Sequence, residues 1–380
     1  MAARWTVMLY MAADRAGLEC PSLRKFLDLA AAGSGSSVNF LVRLSRPPQH
    51  QDGCPGSEAE RWSGIRTYRL RAGTTLASPD EFRASDGDIR SARNLEEFVS
   101  WSLEQCPSQY TMLIFVGDHV DFSGPVADPL ADGTPLSEEK IVTALENALN
   151  GRRLDIVAFD ACRKAGMETA FPLRLCARFF VASEDDIPDS AWSYRDGPAG
   201  LARHPEFAPA TVAGKLVERY QASSGAPLGN WPMLSALDLT KVLEVEDRLS
   251  RLAQATISGM AAGAAFQREI VAIRSGPLDY ASDPDSPARS VDLHRFLEAL
   301  LDQEATPGVL RARAAGVLEA LDSGFVLANW TSEDGSRGAR GLSIYFPPGG
   351  PAVPAGLPAQ CGNEFGRTNA WAEFLAAYLT

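Results

Sequence analysis

Five short segments of this chain, residues 5–11, 38–44, 111–116, 154–159 and 178–182, are apolar at nearly every position. A strand with one wet face alternates apolar and polar side chains, so a run apolar on both parities has to be covered on both faces. Between these runs the apolar spacing turns helical. Leu23, Phe26, Leu27 and Leu29 mark one helix, and Leu95, Phe98, Val99, Leu103 and Cys106 share the face of a second. Ser137 opens a third as its N-cap, with Glu138 and Glu139 in the first turn. Strands that alternate with helices in this way predict an α/β fold with a mainly parallel central sheet and helices on both faces.

Residues 45–88 are rich in Pro, Gly, Ser and charge and form a surface excursion, interrupted by a hairpin-like arm at 65–70. From about residue 208 the spacing is dominated by helices, with one late apolar strand at 341–346 bounded by Pro347 and Pro348. The expected organisation is an α/β domain over 1–235 and a largely helical C-terminal subdomain over 236–380 that returns the strand 341–346 to the sheet.

The 380 residues carry a formal charge of −12, which excludes the basic footprint a nucleic-acid partner needs. No apolar run approaches the roughly 20 residues that span a bilayer, so no membrane partner is expected. Residues 1–4 form too short a charged n-region for a secretory leader, and Asp14 and Arg15 follow the first apolar run, which fits a core strand better. The expectation is a cytoplasmic protein. Six cysteines, Cys20, Cys54, Cys106, Cys162, Cys176 and Cys361, lie far apart with no CxxC pair. A metal site is therefore not expected, and all but Cys162 read as reduced thiols.

The chemistry concentrates at two strand ends. Gly117, Asp118 and His119 follow the run ending at Val116, and Asp160, Ala161 and Cys162 follow the run ending at Phe159. Carboxyl-terminal strand ends are where open α/β sheets hold their ligands. A cysteine attacks a carbonyl as its thiolate, so it needs a base and donors for the oxyanion. His119 is placed as that base, and Cys162, read as opening a helix, would gain from the helix dipole. The N–H groups of Val120 and Cys162 are the expected oxyanion donors.

With these residues set out, the sequence resembles the clostripain-like cysteine peptidases, relatives of the caspases. The resemblance rests on residues 5–14, Asp118-His119, Phe159-Asp160-Ala161-Cys162, residues 181–184 followed by Pro188, and Trp192 with Tyr194. It continues through 234–239, 341–347 and 371–378. It implies a caspase-like fold, a Cys–His dyad and cleavage after Arg or Lys. By the same resemblance Asp160 lines the S1 pocket, with a helix cap as its alternative role; Glu184 and Asp185 either add to the negative field of S1 or are solvated loop charges, and Trp192 either walls the pocket or packs in the core. A buried carboxylate left unpaired selects a cationic side chain.

Some members of the family mature by self-cleavage between histidine and cysteine. Residues 120–139 hold no Lys or Arg, which leaves Arg152 and Arg153 as the expected sites. Arg163 and Lys164 either favour the thiolate or block the acidic pocket from within. Calcium activates some relatives, but Asp86-Gly87-Asp88 and Asp283-Pro284-Asp285 read as turns rather than ligand loops, and no cofactor is expected. The expected partners are a protein or peptide with a basic P1 residue and a regulatory or effector protein, in a signalling or defence role. Val120 departs from the glycine usual after the family's histidine, and it motivates a second reading as a non-cutting scaffold that binds basic peptides.

Overall fold

The computed structural model describes residues 2–14, 17–56, 60–78, 82–85, 87–117, 136–188, 192–223, 233–274, 290–304, 306–331, 338–348 and 363–379. The apolar runs form the middle of a nine-stranded sheet. Its strands are β1 (Ala3–Ala12), β2 (Val38–Arg46), β3 (Gly64–Arg69), β4 (Phe82–Ser85), β5 (Ser108–Val116), β6 (Leu154–Asp160), β7 (Ala177–Ala182), β8 (Met233–Asp238) and, after a short β9 (Ser290–Asp292) that lies elsewhere, β10 (Val326–Thr331). The order is β10-β8-β7-β6-β5-β1-β2-β3-β4. The five central strands are parallel, and the two outer strands on each side each pair antiparallel with the neighbour nearer the centre.

The period of two along each strand sorts its side chains into two cores. In β1, Trp5, Val7, Leu9 and Met11 enter one apolar cluster while Met8, Tyr10 and Ala12 enter the other. The first cluster is closed by Leu23, Phe26 and Leu29 of α1 (Glu19–Ala32) and by Val212, Leu216 and Tyr220 of α5 (Pro209–Ser223). The second is covered by α2 (Ala92–Gln105) and α3 (Glu138–Leu149), and by the C-terminal helices α6 (Val242–Ala262), α7 (Ala264–Arg274), α8 (Leu293–Asp302) and α9 (Gly308–Ala320). Ser91 and Ser137 cap α2 and α3 as N-caps, each accepting from the backbone N–H three residues on.

Several expectations change. The strand expected at 341–346 does not return to the main sheet. Its strand part, β11 (Ser343–Tyr345), pairs antiparallel with β9 in a separate two-stranded sheet and meets the segment after β6 through a bridge from Ser343 to Gly166, hydrogen bonds from Ser343 to the Ala165 carbonyl and one from the Tyr345 N–H to Glu168. The edge it was expected to fill is taken by β10, which pairs with β8. The boundary expected between 235 and 236 falls inside β8, and the larger apolar cluster runs from Met8 to Tyr378 without a break there. The reduced state expected for Cys20 and Cys54 is also corrected. They form a disulfide that joins the first turn of α1 to the loop after β2, while Cys106 and Cys176 are buried free thiols. Cys361 lies outside the described residues.

Candidate active site

Strand order reverses at β1, because the chain leaves it on one side for β2 and later returns on the other through β5 and β6. Crevices in such sheets open at the carboxyl ends of the strands beside the reversal. A cleft lies there, lined by Leu18, Pro21, Ser22 and Lys25 from the α1 side, Val116 and Gly117 after β5, Asp160, Ala161 and Cys162 after β6, and Ile187 after β7. The register places Val116 beside Asp160, and the Gly117 N–H donates to the Asp160 carbonyl at 3.2 Å. Asp118, His119 and Val120, expected as base and oxyanion donor, lie outside the described residues.

Cys162 is half-buried, and its sulfur accepts from the Ile187 N–H at 3.4 Å while lying 3.8 Å from the Ile187 carbonyl. It does not open a helix, as the sequence suggested. The chain makes a turn first, and α4 (Met167–Leu173) begins only at Met167, so Cys162 does not sit in the first turn of that helix. The turn is held by the N–H groups of Lys164 and Ala165, which both donate to the Ser183 carbonyl at 2.8 Å. Arg163 adopts a left-handed φ of 54°, which costs a non-glycine residue roughly 1–2 kcal/mol. Its backbone N–H donates to the Asp185 carbonyl at 3.2 Å and its guanidinium to Asp186 at 2.9 Å. Such strain persists where surrounding bonds over-determine it.

Asp160 is the last residue of β6 and shares the parity of Ile156 and Ala158, which face the α1 side. On α1, Ser22, Lys25, Phe26 and Leu29 are three and four positions apart, so Lys25 falls at the margin of the apolar face. The two side chains therefore meet. Lys25 Nζ donates to Asp160 Oδ2 at 2.6 Å, and Tyr194 Oη donates to the same oxygen at 2.8 Å. The ammonium also lies 5.5 Å from the centre of the Tyr194 ring. Burial, with the Asp160 charge beside it, pushes the Tyr194 hydroxyl well above its ordinary pKa, so it stays a donor. Asp160 caps no helix, and neither Arg163 nor Lys164 fills the acidic position: Lys25 does.

The start of α1 is fixed from below. Glu19 accepts from Arg46 Nε at 2.9 Å, from the Gln51 N–H at 2.8 Å and shares a 2.8 Å contact with His50. Burial would raise this carboxyl, but the Gln51 N–H, His50 and Arg46 together hold it below the usual range. The Cys20–Cys54 bridge adds a covalent tie at the next residue.

The other residues expected around S1 take different places. Glu184 accepts from the Gly341 N–H and is hydrogen-bonded to Asp292. Asp185 lies 3.8 Å from Arg163 Nε and, through its carbonyl, binds Ser183 Oγ. Trp192 is buried in the apolar cluster on the α1 side, 6.4 Å from Tyr194 ring to ring. None of the three is among the described residues that line the cleft. Arg152 and Arg153 are exposed in the turn between α3 and β6. Sequence reasoning missed Lys25 and Ile187 altogether. Lys25 carried one signal, a charge at the edge of an apolar helix face; Ile187 carried none, because it acts through its backbone. Among the described residues no group of three or more His, Cys, Asp or Glu side chains converges as a metal site.

A half-buried cysteine lies in a cleft at the carboxyl end of a central parallel strand, within a sheet wrapped on both faces by helices, an arrangement in keeping with the caspase-like α/β cysteine peptidases. The sequence model of the clostripain family, peptidase C11, matches residues 80–349, and the chain belongs to that family. Its fold is similar to that of an inactive zymogen C11 protease from Parabacteroides distasonis, at 15% identity and a TM-score of 0.66 over 99% of both chains. It is also similar to a secreted C11 cysteine protease from Bacteroides thetaiotaomicron in complex with an irreversible peptide inhibitor, at 17% identity and a TM-score of 0.63 over 99% of both chains. Comparison with curated proteins gives no match.

Proposed function

We propose that this clostripain-family protein is a cysteine endopeptidase in which Cys162 is the nucleophile and His119 the general base. His119 takes the thiol proton, the thiolate adds to the scissile carbonyl, and the same proton goes to the leaving amine. Water then releases the acyl group from sulfur. The N–H groups of Cys162 and Val120 serve as oxyanion donors. One observation carries this reading: Cys162 lines a small cleft together with Val116 and Gly117, which lead directly into Asp118 and His119. The inhibitor held by the B. thetaiotaomicron neighbour fits peptides as the substrate class.

Cleavage after Arg or Lys is the finer part of the proposal, and it is supported by Asp160 lining the same cleft two residues before the nucleophile. Self-cleavage after Arg152 or Arg153 is supported by the exposure of both. For compartment, the disulfide favours an oxidising environment over the cytoplasm expected from sequence. A signalling role with an effector partner, which rested on an intracellular location, loses its motive accordingly.

The test is cleavage of fluorogenic peptides with Arg, Lys, Asp or Leu at P1 by the protein and by Cys162→Ala, with and without calcium. Turnover of Arg and Lys peptides that is lost in the variant is the expected result. Silence on every peptide would favour the scaffold reading that Val120 motivates.

A further inference from the structure

We propose that Lys25 is a specificity-determining residue of the cleft, an internal counter-ion that weakens the selection of a cationic P1 side chain by Asp160. The inference rests on the peptidase reading and on Asp160 as the P1 carboxylate. Both Lys25 and Asp160 line the cleft beside Cys162. Their side chains are 9% and 2% exposed, so both are buried and Lys25 is the less so. A substrate cation that approaches Asp160 therefore meets a carboxylate already bound to a positive charge.

Asp160 Oδ2 already accepts from both Lys25 and Tyr194. Two cations around one carboxylate repel each other, and a displaced Lys25 would leave a charge on the buried cleft wall without its partner. Among the described residues the neighbouring carboxylates are already engaged. Asp185 and Asp186 face Arg163, and Glu184 is bonded to Asp292 and to the Gly341 N–H. An uncharged P1 chain of the same length meets none of this opposition. The cleft thus accepts a basic P1 residue with far less preference than a bare carboxylate would give.

The experiment compares two otherwise identical peptides, one with P1 Arg and one with P1 norleucine, and reads the ratio of their kcat/KM values. Lys25→Gln keeps an amide donor for Oδ2 while removing the charge, and it is expected to raise the Arg-to-norleucine ratio at least tenfold over the unmodified protein. Asp160→Asn leaves the Lys25 charge uncompensated and is expected to lower that ratio at least tenfold. The double variant, which removes both charges, is expected to fall between the two. A ratio within twofold of the parent in both single variants overturns the proposal, and either variant suffices if the other does not fold.

The same ratio is read from the dissociation constants of the two peptide amides on Cys162→Ala and on Cys162→Ala with Lys25→Gln. Absence of Cys162-dependent cleavage would sink the peptidase reading, while the binding ratio would still decide the role of Lys25.

Discussion

At the scale of single residues, one carboxylate oxygen bears unusual weight. Asp160 Oδ2 takes a charged and a neutral donor in a place with almost no solvent, and each of those donors is itself buried. A neutral hydrogen bond of this kind contributes about 1 kcal/mol net, and one to a charged acceptor about twice that. Tyr194→Phe keeps the ring packed against Trp192 and removes only the hydroxyl. The expected cost is about 1–2 kcal/mol in a urea titration monitored by fluorescence, with an unchanged slope. A loss within error would mean that Lys25 alone satisfies Asp160. None of this trio was legible as a trio. Asp160 and Tyr194 each stood in motifs of the sequence, but Lys25 is 135 residues from Asp160, and only the folded sheet supplies the parity that points one at the other.

At the scale of elements, α1 is the part of the cleft held from outside the sheet's own ladder. Leu18 at its N-cap makes no side-chain cap, so the first turn depends on the Glu19 network and the Cys20–Cys54 bond. Closing a loop of 34 residues removes chain entropy worth roughly 3–4 kcal/mol from the unfolded state. Cys54→Ser is expected to lower stability by about that amount, and excess reductant is expected to lower the melting temperature of the parent but not of the variant. Equal sensitivity of both to reductant would argue against the bridge. Sequence spacing alone did not reveal this pair, since 34 residues match no recurring pattern. The five parallel strands, by contrast, were fully legible, because burial on two faces leaves no polar parity to obscure them. Strand β10 was not: its side chains are half-buried or exposed, as befits a sheet edge, and it shows no continuous apolar run. The run at 341–346 announced that it must be buried but carried no information about its partner, which proved to be the three-residue β9.

At the scale of the whole molecule, buried carboxyls stitch the C-terminal region to the catalytic sheet. Glu168 of α4 accepts from the Tyr345 N–H of β11 at 2.8 Å, and Asn363 donates both to Glu138 of α3 and to the Glu168 carbonyl at 3.0 Å. Burial pushes Glu168 up from 4.5 to about 7, and it raises Glu138 and Asp292 as well. Between pH about 4.5 and 7 the unfolded chain gives up the Glu168 proton before the folded one does. The folded state then binds more protons, so stability falls as pH rises through that window, by on the order of 3 kcal/mol for this group. Glu168→Gln keeps an acceptor for Tyr345 and cannot ionise. Its melting temperature is expected to decline less than the parent's between pH 5 and 8, and parallel declines would remove Glu168 as the cause. The order of the strands has one more consequence. The exposed turn carrying Arg152 and Arg153 links two stretches whose strands β5 and β6 pair at five positions in the middle of the sheet. A molecule nicked there would give two bands on a denaturing gel yet elute as one particle, because neither fragment could leave without unzipping the centre of its own sheet.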